Sequence, residues 1–199
     1  MSPRPAPDPP LLQALAALDG ALTELGVPFM IIGGIAVIAR GVPRQTIDID
    51  ATVLGRAVSL DDLFGALGAH GILPRIADAE GFARRQQVLL LQHRPTGTTL
   101  EVSLAWLPFE EEALERSSPV DFRGIEIPVA QAQDLIVYKA VAWRDRDKAD
   151  IERLMLLHGQ ELDLAFIRDM VRQFAEALEE PERVAEFEEL VSRSLGGRG

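Results

Sequence analysis

Two short apolar runs joined through a glycine pair constrain this chain more than any other feature. Phe29-Met30-Ile31-Ile32 stops at Gly33-Gly34, and after thirteen intervening residues Asp48-Ile49-Asp50 opens a second run. Successive side chains of an extended strand point to opposite faces, so Asp48 and Asp50 project together while Ile47 and Ile49 turn away. Two carboxylates on one face repel each other, and the pair is most naturally kept where a divalent cation lies between them. Gly33 and Gly34 admit close backbone approach, and a helix starting near Gly34 aims its N–H groups at an anion. An anion cradle beside paired carboxylates implies nucleoside triphosphate chemistry.

Around that nucleus the pattern predicts a mixed sheet. Leu11 to Leu25 has helical spacing and stops at Gly26-Val27-Pro28. Phe29–Ile32 reads as a buried strand, Gly33 to about Arg40 as a helix, and Ile47–Val53 as the second strand. Ser59 caps a helix reaching about His70, with Leu60, Leu63, Phe64 and Leu67 along one face. Gln87–His93 and Thr98–Leu104 form a hairpin across Arg94–Gly97, and Val120–Phe122 pairs with Ile125–Val129. From Gln131 the chain is helical, over about 131–143, 146–158, 163–179 and 181–194. The expected fold class is α+β: a small mixed sheet of four or five strands flanked by helices, followed by a C-terminal helical region. The expected organisation is a proline-rich disordered lead-in over 1–10, an α/β core over 11–129, and helices over 130–199 packed on the core.

Glu101 is the natural third carboxylate. It lies on the polar face of a neighbouring strand, between Leu100 and Val102; its plainer alternative is a surface glutamate paired with an arginine. Two hard cations about 3.5–4 Å apart need more oxygen ligands than two aspartates supply. Arg44 and Thr46 either touch phosphate or cap the strand. Lys139 is one of two lysines against eighteen arginines and shares a helix face with Leu135 and Ile136. It either neutralises triphosphate charge or snorkels from the helix edge. Asp147 caps the following helix, or it lies with Asp150 near the metal. Trp106 and Trp143 read as core or interface residues, and His70, His93 and His158 lack metal-ligand spacing.

Composition bounds the partners. A chain of 199 residues, 47% hydrophobic, can bury one substantial core. No apolar run reaches the roughly eighteen residues of a membrane span, and the N-terminal segment has no signal-peptide apolar region. The absence of cysteine excludes thiolate metal sites and agrees with a cytoplasmic location. A net charge of −11 argues against a broad nucleic-acid footprint. Local basic clusters remain at Arg40 and Arg44, at Arg84 and Arg85, and at Lys139, Arg144, Arg146 and Lys148. Acid concentrates in Glu110–Glu112 and in the tail from Glu176 to Glu189.

Taken together, these residues resemble the nucleotidyltransferase superfamily that includes DNA polymerase β-like enzymes. Its signature is an apolar strand, Gly-Gly or Gly-Ser, a spacer, Asp-h-Asp-h (h, apolar) and a third acid on a later strand. Gly33-Gly34, Asp48-Ile49-Asp50 and Glu101 match it. The fuller pattern Gly-Gly…Arg44-x-Thr46-x-Asp48-Ile49-Asp50 is similar to bacterial AbiEii/AbiGii toxin-like nucleotidyltransferases. Their later lysine, Arg and Arg-Asp-x-x-Asp-Ile elements correspond to Lys139, Arg144 and Arg146–Ile151. The resemblance implies Mg²⁺ or Mn²⁺ held by Asp48, Asp50 and Glu101. It also implies an NTP bound with help from Gly33, Gly34, Arg44, Thr46, Lys139 and Asp147. Transfer of an NMP to an acceptor hydroxyl would follow, as in a toxin acting on tRNA through a local basic patch, with a cognate antitoxin as protein partner. A small-molecule, aminoglycoside-type transferase with an acidic acceptor pocket near Glu110–Glu112 is the alternative. A non-catalytic antitoxin or nucleotide-binding member of the fold is the third reading.

Overall fold

The computed structural model describes residues 9–196. These divide into two compact units: residues up to Ala39 with Pro43–Ala130, and Arg40–Val42 with the chain from Gln131 onward.

The first unit is built on one mixed seven-stranded sheet of order β3-β4-β5-β2-β1-β7-β6. Its strands are β1 (Phe29–Ile32), β2 (Asp48–Leu54), β3 (Ile72–Pro74), β4 (Val88–His93), β5 (Thr99–Ala105), β6 (Ser118–Phe122) and β7 (Ile125–Val129). Its helices are α1 (Pro9–Leu25), α2 (Gly33–Ala39), α3 (Leu60–Ala69), α4 (Ala79–Gln86) and α5 (Pro108–Arg116). Both predicted hairpins form. The sheet is wider than the four or five strands expected, because the β6–β7 hairpin joins it at one edge and the three-residue β3 at the other.

Alternation on β2 decides which face carries chemistry. Ile49, Ala51 and Val53 are fully buried, as are Leu100 and Val102 of β5 and Leu91 of β4. On the other face of β2, Asp48 and Asp50 are half-buried. Two sequence expectations shift here. Ile47 precedes the strand and is 85% exposed, so Ile49 and its neighbours carry the apolar face without it. Pro9 and Pro10 belong to α1 rather than to a disordered lead-in, since the first turn of a helix has no partner for the N–H that proline lacks. The remainder of that lead-in lies outside the described residues.

Ser59 caps α3 as predicted, its hydroxyl accepting the Asp62 N–H at 3.1 Å. α5 escaped prediction although its signals are local. Pro108 opens it and the Glu110 carboxylate accepts the Trp106 and Leu107 N–H groups, each at 3.1 Å. Glu111 pairs with Arg56 at 3.0 Å and Glu112 with Arg116 at 3.2 Å. The acidic run therefore caps and braces a helix rather than forming an open acidic pocket. Trp106 is 64% exposed, which removes the core half of its core-or-interface reading.

The second unit contains α6 (Ala132–Ala142), α7 (Asp145–His158), α8 (Leu164–Ala177) and α9 (Glu182–Leu195). α6 packs on α7 and α8, and α9 packs on the same two helices. Its core includes Ile136, Ile151, Leu154, Met155, Ile167, Val171 and Phe187. Leu178, the expected end of the α8 stripe, lies beyond the helix and is 49% exposed. Trp143 stacks beneath Lys148 and Arg183, 5.0 and 5.1 Å from its ring centroid. Among the described residues no helix is long and apolar enough to cross a membrane.

Candidate active site

The site candidate grows from the middle of the sheet. β2 pairs in parallel with β5, placing Asp48 opposite Thr99 and Asp50 opposite Glu101. Register partners on adjacent strands share a face. Asp48, Asp50 and Glu101 consequently belong to one face of two neighbouring strands, although 51 positions separate Asp50 from Glu101. On its other side β2 pairs antiparallel with β1, Ile32 lying opposite Asp50. The chain leaves β1 there and turns straight into α2.

That turn explains the glycines. Gly33 has φ +61°, and a Cβ built on it would lie 1.8 Å from Asp50 Oδ2, 2.6 Å from Cγ and 2.7 Å from Cβ. The Asp50 carboxylate thus occupies the volume that any other residue at 33 would fill. At Gly34 an added Cβ would meet Thr46 Oγ1 at 2.4 Å and Thr46 Cβ at 2.7 Å, with Arg44 Nη2 3.3 Å away. A Gly-Ser form of the turn would force Thr46 to move. Thr46 donates its hydroxyl to Asp48 Oδ1 at 2.8 Å, orienting that carboxylate, while Arg44 Nε donates to the Gln45 carbonyl at 3.2 Å. Gly33, Gly34, Arg44, Thr46, Asp48 and Asp50 therefore form one contiguous constellation around the β1–α2 turn.

Glu101 stands differently. It is exposed, and its Oε1 accepts from Arg75 Nη2 at 2.8 Å. Among the described residues no three acid or imidazole side chains converge as a ready metal cluster. The donor set still suits a hard cation: three carboxylates share the face, and one is packed against a glycine that leaves it room. Arg75 had no sequence signal. It follows Pro74 at the end of β3, the shortest strand, and meets Glu101 through the sheet rather than through the chain.

Lys139 and Asp147 belong to the helical unit and are described there. The Lys139 side chain is buried, with Nζ 2.8 Å from Asp150 Oδ2 and 3.4 Å from Asp147 Oδ1. This is a buried three-membered ion cluster, not a snorkelling lysine. Asp147 also caps α7, accepting from Arg144 N at 3.2 Å and Arg144 Nε at 2.6 Å. Burial pushes the Asp147 carboxyl upward, but the Arg144 hydrogen bond and the Lys139 and Arg144 charges outweigh it and hold it below the usual carboxylate range.

Three arginines of the basic clusters are paired within the protein. Arg84 binds Glu80, Arg85 binds Asp78 at 3.0 Å and Arg144 binds Asp147. Their net contribution to a positive surface is smaller than the sequence suggests.

A glycine turn, an Asp-x-Asp strand and a third acid in register define a nucleotidyltransferase-type sheet. The chain belongs to that class: residues 11–194 match the family described as "Nucleotidyltransferase of unknown function (DUF6036)". No curated relative matches the sequence. Among solved structures, the fold is similar to the antibiotic-resistance factor ANT(2'')-Ia in solution, with 18% identity, TM-score 0.55 and coverage of 90% of this chain and 96% of that one. ANT(2'')-Ia in complex with adenylyl-2''-tobramycin is also similar, at 17% identity and TM-score 0.55, covering 84% and 96%. The lincomycin-bound lincosamide antibiotic adenylyltransferase LnuA matches at 16% identity and TM-score 0.50, covering 72% and 94%. At these identities the likeness concerns the fold.

Proposed function

We propose that the protein transfers a nucleoside monophosphate from an NTP to an acceptor hydroxyl, with Asp48 and Asp50 holding Mg²⁺ or Mn²⁺ and Glu101 completing the ligand set. The observation that carries this reading is the β2–β5 register, which puts Asp50 and Glu101 opposite each other on the Asp48 face. Bound there, the cation would offset triphosphate charge. Thr46 orients Asp48, and Gly33 leaves the space that Asp50 fills. Glu101 would take the acceptor proton as the hydroxyl oxygen bonds to the α-phosphorus and the bond to the β-phosphate oxygen breaks, releasing pyrophosphate. Arg44, whose Nη2 lies beside Gly34, would bind phosphate.

For the acceptor we favour a small hydroxyl-bearing molecule. A net charge of −11 repels a polyanion, and Arg84, Arg85 and Arg144, which would attract RNA, are paired with Glu80, Asp78 and Asp147. Fold neighbours described with tobramycin and lincomycin adducts or ligands agree with this class. A second reading rests on the Gly33-Gly34…Arg44-x-Thr46-x-Asp48-Ile49-Asp50 pattern: an AbiEii-like cytoplasmic toxin that modifies tRNA and is restrained by an antitoxin. Incubation with Mg²⁺, each α-labelled NTP, a panel of aminoglycosides and lincosamides, and total tRNA separates the two. Label on a small acceptor supports the first, and label on tRNA the second. Absence of transfer to either, with Asp48→Asn indistinguishable from wild type in Mn²⁺ binding, overturns the enzymatic reading.

A further inference from the structure

We propose that His158 is a positioning residue for phosphate binding: it helps the helical unit grip Arg40–Val42, the chain that leads into Arg44, before a nucleotide arrives. This rests on the reading of Arg44 as a phosphate ligand and gives a role to a residue far from the glycine–aspartate motif.

Residues 40–47 link α2 to β2 and form neither helix nor strand. A loose linker must be ordered at each binding event, which lowers affinity. Here the first three residues belong to the helical unit. His158 Nε2 donates to the Arg40 carbonyl at 2.8 Å, although 118 positions separate the two residues. Gly41 has φ +96°, and a Cβ built on it would lie 2.9 Å from Leu157 Cδ2, so the backbone passes close to the end of α7. Val42 is buried, at 2% exposure. Burial pushes the Arg40 guanidinium below its ordinary range, and the charge of the fully buried Asp134 pulls it back. A backbone bond, a close glycine, a buried valine and a charge pair thus hold three consecutive residues.

The chain beyond them is stiff. One residue, Pro43, separates Val42 from Arg44. Its ring fixes φ near about −65°, and the residue before a proline is confined to extended backbone. Arg44 Nη2 lies 3.3 Å from the point a Cβ on Gly34 would occupy. An arginine whose approach is ordered by the fold loses less freedom when phosphate binds.

Isothermal titration of the full chain in Mg²⁺, with each NTP and with inorganic tripolyphosphate, tests the anchor. His158→Phe keeps a ring but loses the N–H that holds Arg40. It should weaken both ligands about two- to tenfold, the range of one hydrogen bond. His158→Gln returns an amide N–H and should recover most of that affinity. Gly41→Ala disturbs the same segment through Leu157 and should weaken both ligands as well. Wild-type affinity in His158→Phe overturns the proposal, as do equal losses in His158→Phe and His158→Gln. A loss confined to NTP also overturns it, because the group being held meets phosphate. Failure of the underlying reading is distinct: Arg44→Ala then binds tripolyphosphate as wild type does. Titration below the melting onset of every variant ensures that folded chains are compared.

Discussion

Substituting Gly33 by alanine probes the packing on which the candidate site depends. Alanine at φ +61° carries left-handed strain of about 1–2 kcal/mol. Its methyl would also overlap Asp50 Oδ2, Cγ and Cβ at 1.8, 2.6 and 2.7 Å. Rotation of the carboxylate relieves the first overlap but not the last, because the Asp50 Cβ is fixed by β2 hydrogen bonded on both sides. Overpacking of this kind costs ~1–3 kcal/mol, so the total is about 2–5 kcal/mol. At roughly 2–4 °C per kcal/mol for a chain of this size, the melting temperature should fall by about 4–20 °C. Gly97→Ala is the internal control. Gly97 has φ +75° with nothing within 4 Å of an added Cβ, so it bears the strain alone, about 2–8 °C. Differential scanning fluorimetry with and without Mn²⁺ reads both terms. Gly33→Ala should lose more stability than Gly97→Ala and should lose the Mn²⁺-induced rise that Gly97→Ala retains. Equal losses in the two variants, or an intact Mn²⁺ response in Gly33→Ala, would refute the claim that Gly33 exists to accommodate Asp50.

The helical unit offers two further tests. Lys139→Met takes the buried ammonium away from the Asp147 and Asp150 carboxylates while Asp147 keeps Arg144, and should cost about 3–5 kcal/mol in urea unfolding; Lys139→Met/Asp150→Asn should recover part of it, and a single-variant loss under about 1 kcal/mol would contradict a buried cluster. The lowered Asp147 carboxyl sets the sign of a pH effect. The folded state favours the ionised form, so this contribution is present above the ordinary value of 3.8 and disappears as pH falls through and below it. Asp147→Asn should therefore be less stable than wild type at pH 7, with the gap narrowing near pH 3; a gap that widens with acid would reverse the assignment.

Much of the site was legible along the chain because its determinants are local. The turn needed Gly33 and Gly34, and strand alternation sent Asp48 and Asp50 to one face, readings that the β2 burial pattern bears out. The Arg94–Gly97 hairpin put Glu101 on a polar face. Where local signals misled, the reason is specific. Ile47 reads as strand core by alternation alone, yet β2 begins one residue later and leaves it in solvent. Glu110–Glu112 reads as an acidic patch, but each carboxylate is consumed by a cap or an arginine. Arg84 and Arg85 read as a basic cluster, but each has a carboxylate partner four or seven residues away on the same helix or its lead-in.

Taken alone, then, the order of residues determined the glycine turn, the shared face of Asp48 and Asp50 and the helical character of the chain beyond Gln131, since backbone periodicity and turn chemistry act over a few residues. Folding decided the rest: which strand lies beside β2, that Asp50 faces Glu101, that Arg75 reaches Glu101 from 26 positions away, and that Lys139 is buried against Asp147 and Asp150. Register between distant strands and the partner chosen by a charge follow from burial of the whole core, and no window of sequence contains that sum.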